Sequence, residues 1–427
     1  MPPTRRLPLF ALLTSTLVST TGNAIALIAI PWYVLASTGS PAQTGVIAFF
    51  STLAPVLGGF FGGAIVDRLG PWKVSVLADI LSGVTVAAIP ILHSTVGLPP
   101  LWALVALVFL GGLFDTPGNT ARSALLVDLA QLARWPLERA TAASELVAGI
   151  PYLIGPPLGA ALIAWLGSAE VLWLDAGSFA FSAAAVALLV PAMVISRNLS
   201  EARTSYLSDL KEGVRFVTGD PLIRAMFSFT SLVGLLVVPL VYVVLPVYIR
   251  EAFGEATNLG WLIAGFILGS LLGLALFGTI GQRLPRRLLF IGGILGPGVA
   301  AVVLATLPSL LVMVGGMVVG GIIYGPFDAL LETVVGERTP AELRGRVYGT
   351  LRTISTGTTP FGALLAGFGL QILGIRSVLT LLALCLVGLT VAAFANRSLR
   401  ELSAHKLGTQ PDPGFEQQTE QQAQTRV

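Results

Sequence analysis

Charge is what this sequence has least of. Of its 427 residues, 11% are Asp, Glu, Lys or Arg, against roughly 25% in a soluble domain. A chain of this length in water needs far more charge to cover its surface, so a soluble enzyme and a disordered chain are excluded together. The net charge is only +3. So small a surplus cannot track a phosphate backbone, and no nucleic-acid partner is expected. Cysteine occurs once, at Cys385, which rules out an internal disulfide. The two histidines, His93 and His405, have no Cys or acidic neighbour at ligand spacing, so neither a metal nor another cofactor is expected. A phosphate-binding loop of the Walker kind is also missing, which points away from ATP and towards a gradient as energy source.

What is abundant is apolar surface. Hydrophobic residues make up 54% and glycine occurs 48 times, and the mean hydropathy is +0.84. A spanning helix takes roughly 20 mostly apolar residues. Twelve such runs lie near 8–36, 42–66, 74–93, 100–121, 140–165, 170–190, 222–249, 257–280, 288–306, 309–328, 347–373 and 377–395. The fold class read from them is an all-α membrane protein of twelve transmembrane helices. Thr4-Arg5-Arg6 before the first run faintly resembles a secretion signal, but the run continues to Trp32 and reads as an uncleaved span. With both termini in the cytoplasm, all but two of the 25 Lys and Arg residues fall on the inner side, the exceptions being Arg250 and Arg376. Trp32, Trp102, Trp165, Trp173 and Trp261 then mark the outer interface. The expectation is a multi-pass protein of the cell membrane, in contact with the lipid bilayer and monomeric.

Charge returns between spans six and seven, where Arg197, Glu201, Arg203, Asp209, Lys211, Glu212, Arg215 and Asp220 cluster. Helical spacing of apolar residues from Leu207 to Phe216 suggests a surface helix. The chain therefore divides into a six-helix bundle (1–195), a cytoplasmic linker (196–221), a second six-helix bundle (222–400) and a tail of low complexity (401–427), read as disordered. The bundles look related. Gly63-x-x-x-Asp67-Arg68-Leu69-Gly70 is echoed by Gly278-x-x-x-Gln282-Arg283-Leu284-Pro285. Gly111-Gly112 precedes Pro117 as Gly320-Gly321 precedes Pro326, and Pro157-Leu158-Gly159-Ala160 is echoed by Pro360-Phe361-Gly362-Ala363. Such pseudo-symmetric halves around a midplane site are the layout of secondary transporters.

Gly62-Gly63-Ala64-Ile65-Val66-Asp67-Arg68-Leu69-Gly70-Pro71-Trp72-Lys73 resembles motif A of the major facilitator superfamily, with Pro71 and Trp72 in place of the usual basic residues. The resemblance implies a gate of Gly63, Asp67, Arg68, Gly70 and Lys73 that latches the cytoplasmic side when the protein faces outward. Gly155-Pro156-Pro157-Leu158-Gly159-Ala160 is similar to motif C of the superfamily's antiporters, with Gly155, Pro156 and Gly159 as its key positions and Ala160 replacing a final Gly. Asp115-Thr116-Pro117 through Leu125-Leu126-Val127 resembles the branch of drug:proton antiporters that holds macrolide-efflux and enterobactin-export proteins. Arg122, within this stretch, departs from the family's motif B.

An acid inside a span is costly and is a functional candidate by default. Asp115 lies deepest, roughly 20 Å from the outer end of its span at 1.5 Å per residue, as a carrier of protons or a partner of a cationic substrate. Pairing with Arg122, two turns on, is the structural alternative. Asp175 and Asp328 are further coupling candidates, each without an obvious local partner, while Asp79, Glu145 and Glu332 read as interfacial ion pairs. Thr14, Ser15, Ser19, Gly22 and Asn23 form a polar stripe on span one; Asn23 joins the coupling set and Ser19 the cavity lining. Tyr242, Tyr248 and Thr358 are expected to line the cavity from the second half. The whole suggests proton-coupled efflux of small amphipathic or cationic compounds by alternating access. The rivals are a dedicated exporter of a metabolite, siderophore or lysolipid, and, from another class, a membrane-embedded sensor or enzyme. No clustered catalytic groups favour an enzyme.

Overall fold

Glycine and proline punctuate an otherwise continuous series of helices. A computed structural model describes residues 6–192, 206–281, 284–340 and 343–403, and among these every regular element is helical. The first half runs α1 (Leu7–Thr38), α2 (Pro41–Leu69), α3 (Pro71–Val96), α4 (Leu101–Ala133), α5 (Leu137–Leu166) and α6 (Val171–Leu189). The connections are a few residues long, which forces antiparallel neighbours. Ser40 caps α2, its Oγ accepting the Gln43 N–H at 3.3 Å. Gly70 separates α2 from α3 with φ 84°, a left-handed value that side-chain-bearing residues rarely adopt.

An amphipathic helix, α7 (Tyr206–Gly219), leads into the second half. The first crossing there is interrupted. Helix α8 (Pro221–Pro239) passes through a π-helical segment, Leu240–Val244, into α9 (Leu245–Ala252). Then come α10 (Ala256–Ile280), α11 (Arg286–Ala305), α12 (Leu310–Tyr324), α13 (Phe327–Arg338) and α14 (Arg344–Ala395). Helices α12 and α13 are one crossing, broken next to Pro326. The 52 residues of α14 are two crossings joined at Gly374, where φ is 76° and ψ 168°. Among the described residues, eleven helical stretches are long and apolar enough to span a membrane. Counting both arms of α14, the crossings number twelve, as the sequence predicts.

The halves repeat one packing scheme. Helix α1 packs on α5 and α6, α2 on α4, and α3 on both α4 and α6; in the second half α10 packs on α12, α11 on α12 and α14, and α8 on α14. Lipid supplies no hydrophobic drive between helices, so close contact depends on small residues. A Cβ at Gly269 or Gly273 would collide with the Val318 or Ile322 carbonyl of α12.

The halves meet at the end of the molecule that holds Gly39 and Gly374. Gly45 of α2 and Gly367 of α14 touch backbone to backbone, so a Cβ on Gly45 would sit 2.7 Å from the Gly367 Cα. Gly260 of α10 lies against Ala160 and Pro157 of α5. Arg250 donates to the Ala36 carbonyl at 3.0 Å, and Phe49 meets Phe361 edge to face. Towards the opposite end, Gly59 and Gly63 of α2 and Gly349 and Gly357 of α14 border open space. The two helices thus touch backbone to backbone at Gly45 and Gly367, whereas these four glycines meet no neighbour.

Candidate substrate and coupling site

A buried polar network crosses the first half. Arg122 of α4 is 3% exposed, and its Nη1 lies 2.7 Å from Asp79 Oδ1 of α3. Ser182 of α6 donates to the other Asp79 oxygen at 2.6 Å. The second guanidinium nitrogen donates to Asn119 Oδ1 at 2.8 Å and reaches Asp115 at 3.6 Å. Asn119 in turn donates to Asp115 Oδ2 at 3.0 Å, and so does Asn23 of α1 at 3.1 Å. One cation is therefore held tightly by one carboxylate and loosely by another. Asp115 is left with two neutral amide donors on one oxygen and no hydrogen bond to its other oxygen. In a dry interior an ion is tolerable only when paired and hydrogen-bonded. Asp79 meets that condition fully and Asp115 only in part.

Asp115 also faces a cavity of about 170 Å³. Its polar lining is Asn23, Ser51, Thr52, Asp115, Tyr152, Asp175 and Tyr242; the remainder is aliphatic, apart from Phe179. Asp175 of α6 is 1% exposed, and its side chain abuts Gly22 of α1, where a Cβ would sit 2.5 Å from Oδ1. Its nearest polar partner is Ser178 Oγ, at 3.5 Å. The cavity thus offers two carboxylates, two phenols and a mainly aliphatic wall. Chemically this suits an apolar body carrying a positive charge.

Several expected residues lie elsewhere. Ser19 is fully buried and bonds back to the Thr16 carbonyl of its own helix, so its place on the span-one stripe is a helix contact. Tyr248 is packed in the apolar interior with its ring against Phe253. Six residues of helix turn a side chain well away from the face of the first, which is why Tyr242 reaches the cavity and Tyr248 does not. Thr358 donates to the Ser231 carbonyl and ties α14 to α8. Asp328 sits in the first turn of α13, is exposed, and accepts from Tyr324 Oη at 3.0 Å; it borders a second cleft with Phe266 and Glu332. Asp79, expected at an interface, is instead 1% exposed and the main partner of Arg122.

The family model described as Major Facilitator Superfamily matches residues 12–254 and 235–417. The chain belongs to that superfamily. As a member it is a transporter and not an enzyme. The multidrug efflux pump Tap of Mycolicibacterium fortuitum is 32% identical over 404 residues, covering 94% of this chain and 98% of that protein. The pump of the same name from Mycobacterium tuberculosis is 31% identical over 397 residues, covering 92% and 94%. The nucleoside transporter NupG shares the fold with a TM-score of 0.75 at 13% identity, over 91% of this chain and 98% of that one. A bacterial homologue of the lysosomal transporter Spinster, in an inward-facing and unoccupied conformation, does so with a TM-score of 0.71 at 15% identity, over 97% and 100%.

The superfamily motifs occupy distinct places around this site. In motif A, Gly62 is the residue that meets a neighbour, beside Thr120 and Pro117 of α4, while Gly63 borders open space. Asp67, Arg68 and Lys73 are exposed. Among the described residues none of the three makes an ion pair, and the N-cap of α3 is Gly70 rather than Asp67. The second-half echo at Gln282 and Arg283 lies outside the described residues. In motif C, Gly155 lies on Ala24 and Gly159 on Ile25, so the motif seats α5 on α1, directly beside Asn23. Pro156 is buried in the same contact helix.

Proposed function

We propose that this transporter exports small amphipathic or cationic compounds, exchanging them for protons by alternating access. The observation that carries the reading is the cavity with Asp115 and Asp175 on its wall, since only one of the three interior carboxylates is closely neutralised by Arg122. A carboxyl that can hold either a proton or a cationic substrate, but not both, is the minimal device for exchange. Full-length similarity to pumps named for multidrug efflux supports the export direction. The end of the molecule with Gly39 and Gly374 is assigned to the outside, because the basic residues gather at the other end. Contact between the halves at that outer end, with an unlatched motif A opposite, supports an inward-facing state. The boundaries read from the sequence, two bundles joined by the α7 linker, are the moving parts of this reading.

The test is flux in proteoliposomes across a panel of amphipathic compounds, with and without an imposed pH gradient. Gradient-driven uptake is expected for the native protein, and Asp115→Asn is expected to reduce it to background. Undiminished gradient-driven transport by that variant would remove Asp115 from the coupling role. Flux indifferent to the gradient in the native protein would make it a facilitator.

A further inference from the structure

The cavity in the first half is not built by the first half alone. Of the residues that line it, all but one come from α1 to α6; the exception is Tyr242. Tyr242 belongs to the π-helical segment Leu240–Val244, bounded by Pro239 and Pro246. The Leu245 N–H reaches back five residues to the Leu240 carbonyl, the bond that defines a π-turn. Such turns are single-turn bulges inside α-helices and are frequent at functional sites. Here the neighbours of Tyr242 are anchored: Leu240, Val243 and Val244 are 3%, 0% and 0% exposed in a core shared by both halves. The segment also packs on α1, α2 and α14. One phenol ring is thus carried by a buried turn of one half into a cavity whose carboxylates, Asp115 and Asp175, belong to the other.

We infer that Tyr242 is the residue by which the second half selects for organic cations in this cavity, its ring joining Tyr152 and Phe179 on the aromatic side of a site whose anionic side is Asp115 and Asp175. The attraction of a cation to a ring face strengthens in a desolvated site, and a ring held by buried neighbours loses little freedom on binding. The bound cation then touches both halves, so its occupancy bears on their relative motion. This inference rests on the export reading for its substrate class, but not on proton coupling.

The test is equilibrium binding to the purified full-length protein, with no gradient present. The probes are tetraphenylphosphonium, a permanent cation, and triphenylphosphine oxide, a neutral compound of similar body. Tyr242→Leu is expected to weaken binding of the cation about tenfold and of the neutral probe less than about twofold. Retained binding of the neutral probe also reports a folded cavity. Tyr242→Phe, which keeps the ring, is expected to bind both as the native protein does. Native-like cation binding by Tyr242→Leu, equal losses for both probes, or a loss in Tyr242→Phe as large as in Tyr242→Leu would each overturn the inference. Failure of the native protein to bind the cation would overturn it too. Proton-driven export of other compounds, read by flux, would then stand on its own.

Discussion

The two halves repeat each other in chain order and packing, yet they spend their charge differently. Pro117 of α4 and Pro326, between α12 and α13, occupy matching places after a Gly-Gly pair. In the first half the helix continues through its proline; in the second it breaks there. The position of Asp115 is matched by Tyr324, that of Asn119 by Asp328, and that of Arg122 by Leu331. Each half therefore keeps a polar pair four residues apart, Asn119 to Asp115 and Tyr324 to Asp328, both at 3.0 Å. The acid of the second half is one turn, about 5.4 Å, nearer the helix end, where it is exposed. A deep acid is held where an arginine is available, and the half that has leucine there places its acid at the edge. The charges of the second half gather at the same end: Arg286 with Glu337 in a two-point pair, and Arg338 between Asp220 and Glu401.

That contrast can be broken most forcefully at Arg122. Arg122→Met leaves Asp79 buried without its counter-ion, a loss on the order of 3–5 kcal/mol for a buried pair with one partner removed. A large fall in melting temperature in detergent is expected. Glu401→Gln, at the half-exposed pair with Arg338, should cost under about 1 kcal/mol. Comparable losses from the two would mean that burial does not distinguish the halves.

The contact between halves offers the next test. Gly45→Leu would drive a side chain into the Gly367 backbone and should abolish transport while each bundle stays helical by circular dichroism. Gly59→Ala, on the same helix facing open space, should transport normally. Full activity in Gly45→Leu would show that the tight end is not needed in the cycle.

A modest, pH-dependent effect is expected at Asp220, outside the membrane. It caps α8, accepting from Leu222 and Ile223 at 2.8 and 3.1 Å, and pairs with Arg338 at 3.1 Å. Burial works against its charge, but the Ile223 N–H and the Arg338 guanidinium prevail and hold its carboxyl below the usual carboxylate range. A carboxyl lowered on folding stabilises the protein above its unfolded value, and that contribution is lost as pH falls through the folded one. Asp220→Ala should therefore cost about 1 kcal/mol at neutral pH. The difference from the native protein should shrink below about pH 4 in melting measurements. A pH-independent difference would assign the loss to packing instead.

Much of this was legible in the residues taken alone. The spans follow from the length of apolar runs, and the halves from recurring Gly and Pro. Asp115 stands out because lipid makes a deep carboxylate costly wherever its helix turns. Asn119 could have been found too, standing four residues beyond Asp115 on the same face. Asp79 was not legible as a partner of Arg122, since 43 residues separate them and only the packing of α3 on α4 joins them. Ser182 arrives from a third helix. The orientations of Tyr248 and Ser19 are not legible in the sequence, because rotation about each helix axis, and the π-turn before Tyr248, decide which way a side chain points.

What the sequence by itself determined is therefore the set of costs: how many helices must cross, where chain reversals fall, and which charges lipid will not tolerate unaided. Each is a property of one segment in its solvent. What only the tertiary structure decided is how those costs are met. It set Arg122 nearer Asp79 than Asp115, left Asp175 facing the same cavity, and brought Tyr242 from the other half to its wall. Those outcomes depend on helix rotation and on the close approaches permitted at Gly22, Gly155 and Gly159, which are relations between segments.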